Sequence, residues 1–115
     1  MGNRAQVRIV DTGVYLYTHW DGGRIKEIVK SAMQRKERWD DPEYLARIIF
    51  SEMIKNDVEG NTGYGIGTEE HFDLDYGVII INCQQQLINC LEFEYSGTRR
   101  ELVEHPMGFE EFIKE

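Results

Sequence analysis

Gly13-Val14-Tyr15-Leu16-Tyr17-Thr18-His19-Trp20-Asp21-Gly22-Gly23 is the stretch around which the rest of the chain is organised. Val14, Leu16 and Thr18 alternate with Tyr15, Tyr17 and His19, the two-residue period of a strand with two different faces. Asp21 has the short acceptor side chain suited to capping a helix, and the glycines after it let the backbone turn tightly. The stretch predicts a strand that turns at once into a helix. It delivers His19, Trp20 and Asp21 beside the free N–H groups of a helix start, an arrangement able to bind a ligand. The same arrangement is also a common way to begin an ordinary helix.

Upstream, residues 6–10 (Gln-Val-Arg-Ile-Val) predict a first short strand, with Val7 and Ile9 on one face and Arg8 on the other. Asp11-Thr12-Gly13 is then a tight turn, so the chain opens with a β-hairpin. Downstream, Ile25, Ile28, Val29, Ala32 and Met33 form one stripe of an amphipathic helix from Gly22 to about Lys36, with Arg24, Lys26, Lys30 and Arg35 on the other side. A second helix starts either with Asp41 as cap and Pro42 at the first helical position, or with Asp40 and Glu43 as a capping box. Its stripe is Leu45, Ile48, Ile49 and Met53.

Residues 58–72 contain Gly60, Gly63, Gly65 and Gly67 and read as an irregular loop. Val78-Ile79-Ile80-Ile81 is too short for a helix and is β-branched, which predicts a central strand buried on both faces. Cys83-Gln84-Gln85-Gln86 turns the chain into a strand over 87–95 that ends half exposed at Glu92 and Glu94. Residues 98–105 fit an edge strand or an extended tail, Pro106 stops them, and Phe109, Phe112 and Ile113 suggest a last helical turn or two. The order ββααββ(β)α predicts an α+β fold. Its antiparallel sheet has four or five strands, two helices pack on one face, and residues 1–115 make a single domain.

Composition narrows function without naming it. No apolar run approaches the ~18 residues of a membrane span, and Met-Gly-Asn-Arg-Ala-Gln at the start lacks the apolar stretch of a secretory signal. Gln6 stands where a myristoylation motif has Ser or Thr. A cytoplasmic location is the expectation. Cys83 and Cys90 are too few for a disulfide scaffold and are read as reduced. Residues 1–38 carry eight Lys/Arg against four Asp/Glu, a net of +4; the rest carries five against seventeen, a net of −12, which together give the −8 of the whole chain. Between Lys55 and Arg99 there is no Lys or Arg. Such a surface repels nucleic acid and attracts cations or a basic protein partner.

The Gly-rich segment Asn61-Thr62-Gly63-Tyr64-Gly65-Ile66-Gly67-Thr68 lacks the Lys and Ser/Thr that a phosphate loop places after its last glycine, and two glutamates follow it. A calcium loop starting at Asp57 fails because Thr62 falls where glycine is needed and Thr68 where glutamate is needed. On a strand, His71, Asp73 and Asp75 would share a face and present one imidazole and two carboxylates to a metal, with Phe72, Leu74 and Tyr76 facing the core. A polar outer face of an edge strand has the same pattern. His19, Trp20 and Asp21 could act as base, stacking surface and orienting carboxylate, but no nucleophile stands at a diagnostic spacing.

The segments Val14-Tyr15-Leu16-Tyr17-Thr18-His19-Trp20-Asp21-Gly22, Arg38-Trp39-Asp40-Asp41, Tyr44-Leu45-Ala46-Arg47-Ile48-Ile49-Phe50 and Thr62-Gly63-Tyr64-Gly65-Ile66 resemble an uncharacterised family of small prokaryotic and phage-encoded proteins. The resemblance covers about residues 12–95 and brings no activity with it. It implies a prokaryotic, viral or mobile-element setting and draws attention to His19, Trp20, Asp21, Trp39, Arg47 and Tyr64.

Two functions are therefore expected, the first ahead of the second. One is a non-enzymatic accessory protein, with no cofactor and no metal, that docks a protein partner or itself through an acidic sheet edge and the Gly-rich loop. The other is a small-molecule site or small hydrolase in which His19, Trp20, Asp21, Arg47 and Tyr64 converge on one pocket.

Overall fold

The structure is a computed structural model that describes residues 4–60, 63–71 and 74–114. β1 (Ala5–Ile9) and β2 (Val14–Thr18) form the expected hairpin, with Ile9 paired to Val14. Asp11 and Gly13 take positive φ in the turn, and the Thr12 hydroxyl donates to the Ile9 carbonyl at 2.7 Å. A 3-10 turn over Gly22–Arg24 leads into α1 (Ile25–Met33), and α2 spans Pro42–Ile54. Of the two helix starts that the sequence allows for α2, the structure takes the Asp41 cap, whose carboxylate accepts from the Tyr44 N–H with Pro42 opening the helix. At the C-terminal end of α1 the Met33 carbonyl accepts from both the Lys36 N–H at 3.0 Å and the Trp39 indole at 3.1 Å.

The remaining elements are β3 (Tyr64–Gly67), β4 (Val78–Asn82), β5 (Leu87–Ser96), β6 (Arg99–Val103), β7 (Pro106–Gly108) and α3 (Phe109–Lys114). The fold is α+β as expected, but among the described residues the sheet has seven strands, ordered β3-β2-β1-β4-β5-β6 with β7 also on β5, and there are three α-helices. The sheet is not wholly antiparallel, because β1 and β4 run parallel with Val7 opposite Ile79. Part of the segment 58–72 read as irregular is the strand β3, paired to β2. Residues 99–103 are a strand, and Pro106 begins one instead of ending one. That position needs no N–H, which is where a sheet tolerates proline.

α1, α2 and α3 share one core with the face of the sheet that carries Ala5, Val7, Ile9, Leu16, Ile79, Ile81, Ile88 and Cys90. Every residue of the α1 stripe is buried, and Phe109 and Phe112 of α3 close the core. Glu52, 8% exposed on α2, is held by Arg35 and Lys55, each at 3.4 Å. A buried carboxylate needs such partners.

The other face of the sheet carries the chain from β3 at the edge to β4 in the centre. Gln6, 1% exposed, projects from that face and pins the crossing segment. Its amide donates to the Glu69 carbonyl at 3.1 Å and accepts from the His71 N–H at 2.9 Å. Leu74 is buried, and the Tyr76 N–H donates to the Arg4 carbonyl. At the end of this crossing Gly77 lies against β5, where a Cβ would stand 1.5 Å from the Leu91 carbonyl oxygen. Gly77→Ala is therefore expected to destabilise by about 2 kcal/mol or more, a fall in Tm on the order of 10 °C, because backbone must move to admit it. Gly67→Ala, whose Cβ meets no described atom within 4 Å, is the control and should melt like the wild type.

Candidate functional site

The corner around residue 20 and the Gly-rich segment meet through the β2–β3 ladder. Thr18 pairs with Tyr64, Tyr17 with Gly65 and Tyr15 with Gly67, and the His19 N–H donates to the Gly63 carbonyl at 2.7 Å. Alternation along the ladder then sorts the corner onto two faces.

On the helix face the Tyr64 hydroxyl donates to the Asp21 carboxylate, and Arg24 stands 3.8 Å from the same group. Asp21 is thus not the side-chain cap that the sequence suggests, since its carboxylate makes no capping bond. The Thr18 hydroxyl accepts from the Trp20 and Asp21 N–H groups instead, at 3.3 and 3.0 Å. Burial, the bond to Asp21 and the charges of Asp21 and Asp57 push the Tyr64 phenol up to about 12, with Arg24 opposing.

On the open face the Tyr17 hydroxyl lies 3.2 Å from His19 Nδ1, His19 meets Trp20 edge to face at 4.5 Å, and the His71 ring is 5.3 Å from Tyr17. Trp20 lies against Gly63, where a Cβ would come within 1.9 Å of the indole nitrogen, yet its own ring is 55% exposed. Arg8 reaches across from β1 to the Tyr15 ring at 5.9 Å.

Arg47 is exposed on α2, and the described contacts bring it to neither half of the corner. The five residues expected in one pocket therefore separate into Asp21 with Tyr64, His19 with Trp20, and Arg47 apart. Trp39 packs in the core against Phe109 at 5.3 Å. The metal candidates fare differently. Residues 71 and 74–75 are not strand, and Asp73 and Phe72 lie outside the described residues, as do Asn61 and Thr62. Tyr76, expected in the core, is 43% exposed. Asp75 accepts from the Arg4 backbone and guanidinium, at 3.1 and 3.2 Å, and these bonds hold its carboxyl below the ordinary range. Among the described residues no group of three His, Cys, Asp or Glu is placed to hold a metal.

A groove of about 940 Å³ lies elsewhere, where β5 runs past the start of α1. Ile25, Ile79, Leu91 and Phe93 line it, with Lys26 and Glu92 paired at 2.9 Å on its rim. Sequence reasoning missed it because β5 is ten residues long and β4 five, so the outer half of β5 extends past its partner. Both cysteines are buried, and burial, with Asp41, Asp11 and Asp40, pushes the Cys83 thiol up to about 11. No helix among the described residues is long and apolar enough to cross a membrane. The chain matches no known protein family, no curated protein and no solved structure.

The Tyr64–Asp21 bond gives a pH signature. A phenol pushed up to about 12 adds stability that is fully present below its ordinary value of 10 and is lost as pH rises through 12. Absorbance titration should show a phase near 12 that Tyr64→Phe removes. A high-pH limb identical in the two proteins would contradict it.

Proposed function

We propose that this chain is a small acidic protein-binding module, without catalysis, that accepts an extended segment of a protein partner alongside β3. The observation that carries the reading is the outer edge of that strand. Among the described residues β3 pairs with β2 alone. The bond from His19 to Gly63 sets the phase of the antiparallel ladder, so Gly63, Gly65 and Gly67 turn their N–H and C=O groups toward β2. Those of Tyr64 and Ile66 point outward.

Proteins ordinarily blunt such an edge with charge, proline or a cover. The opposite edge, β6, is charged at Arg99, Arg100 and Glu101, all exposed. β3 reads Tyr-Gly-Ile-Gly, carries no charge, and leaves Ile66 60% exposed. Strand addition uses such a row of free backbone groups for affinity and the alternate side chains for selection. Part of the reading is a prokaryotic or phage setting, supported by the segments quoted above, and with it a cytoplasmic location.

A second reading, a small-molecule site, is favoured by the groove beside α1, whose volume is in the range of about 300–1,000 Å³ usual for ligand pockets. Amide shifts at Lys26, Gly77 and Leu91 on titrating small molecules would support it. Shifts confined to Tyr64–Gly67 would sink it.

Ile66→Pro tests the edge, since it deletes one outward N–H and leaves the ladder to β2 intact. Melting should be nearly unchanged. Proteins captured by the wild type from a bacterial extract should be lost from the variant, because each backbone bond contributes about 0.5–1.5 kcal/mol and the added ring obstructs pairing. Equal capture by both proteins, or none by either, overturns the reading.

A further inference from the structure

We infer that the segment added to β3 carries a lysine or arginine opposite Gly65, and that this side chain enters an aromatic notch walled by Trp20 and Tyr17. The inference rests on the strand-addition reading and names the chemistry of the partner. Gly63 and Gly65 occupy successive open-face positions of the same ladder, but they differ. Trp20 fills the space above Gly63, whereas no described heavy atom lies within 4 Å of the point where a Cβ of Gly65 would stand. The bare position follows the one that Trp20 covers and pairs across the ladder with Tyr17; His19 touches both aromatic residues, and the His71 ring lies 5.3 Å from Tyr17.

Two strand spacings separate an added strand from β2, roughly 10 Å, so a short side chain opposite Gly65 would stop over the glycine. The stems of Lys and Arg are long enough to cross it and bring a cation within about 6 Å of an aromatic face. The fold already makes this contact once, where Arg8 reaches across the neighbouring ladder to Tyr15. With that charge in place, the Tyr15 position opposite Gly67 is the less favourable one for a second cation.

The surrounding field has the matching sign. Asp57 and Glu59 precede β3, Glu69 and Glu70 follow it, and all four are exposed. Asp57 is close enough for its charge to act on the Tyr64 phenol. Arg24 sits on the helix face with Asp21, and Arg8, on the open face, is engaged with Tyr15. Residues opposite Tyr64 and Ile66 fall on that helix face beside an exposed Ile66, which suits an apolar side chain. The segment is therefore apolar-basic-apolar, with the basic residue at Gly65.

The test uses three synthetic extended peptides, alternating Val-Lys, Val-Glu and Val-Thr, titrated into the full chain and followed by amide shifts at Tyr64–Gly67. The lysine peptide should bind at least about tenfold more tightly than the threonine peptide, weaken as salt is raised, and fail on the glutamate version. Gly65→Val fills the notch with a residue suited to a strand and should fold at least as well as the wild type, while losing about tenfold for the lysine peptide. Trp20→Leu removes one aromatic wall and should lose the preference for lysine over threonine. Equal binding of lysine and threonine peptides, both abolished by Ile66→Pro, would overturn this inference and leave the edge reading standing. Absence of shifts at β3 with every peptide would overturn both.

Discussion

The parallel pairing of β1 with β4 is the joint on which the molecule depends. It connects the hairpin and its edge strand β3 to the β4–β7 half of the sheet, and it puts Val7, Ile9, Ile79 and Ile81 side by side under the helices. Parallel neighbours cannot be joined by a tight turn. The chain must therefore return from the sheet edge to its centre. α1 and α2 lie within this connection, and its last leg, from β3 to β4, is held by the Gln6 amide on Glu69 and His71 and by the Tyr76 N–H on the Arg4 carbonyl.

That route decides where function can sit. Three helices cover one face and the crossing segment part of the other, which leaves the aromatic row around Tyr15, Tyr17, His19 and Trp20, the rim of β3 and the groove between α1 and β5 as the places to look. The same ladder that unites the corner with the Gly-rich segment also divides it, because successive residues point to opposite faces. Asp21 and Tyr64 become a structural clasp over the core, whereas His19 and Trp20 face outward. The ladder thus sorts Asp21 and Tyr64 to one face of the sheet and His19 and Trp20 to the other.

How legible each part was in the sequence follows from the range of the interactions that make it. α1 shows itself by the spacing of Ile25, Ile28, Val29, Ala32 and Met33, and α2 by Asp41-Pro42, since both signals lie within one or two turns. β4 shows itself as an uninterrupted β-branched run. β3 does not, because Tyr-Gly-Ile-Gly has no apolar period and is a strand only through its backbone bonds to β2. Gln6 looks like an ordinary polar residue of a hairpin until the crossing segment lies over it. Pro106 reads as a terminator unless it is known to sit at the first residue of a strand. The corner was legible as a meeting place, but its division between two faces depends on the register Thr18–Tyr64, a contact between residues far apart in sequence.

An unblunted edge is open in principle to a second copy of the same chain as well as to another partner. Two copies joined through β3 would bring Asp57, Glu59, Glu69 and Glu70 of each against those of the other, between molecules that each carry a net charge of −8. Like charges placed that way oppose association, most strongly at low salt. On the strand-addition reading, the acidic flanks disfavour a second copy at the edge without covering it and favour a strand of opposite sign. A neutral surface would leave the edge open to any extended chain, and lysines beside it would close it to a basic one. The absence of Lys and Arg from 56 to 98 is in this sense a property of β3, whose own four residues carry no charge at all.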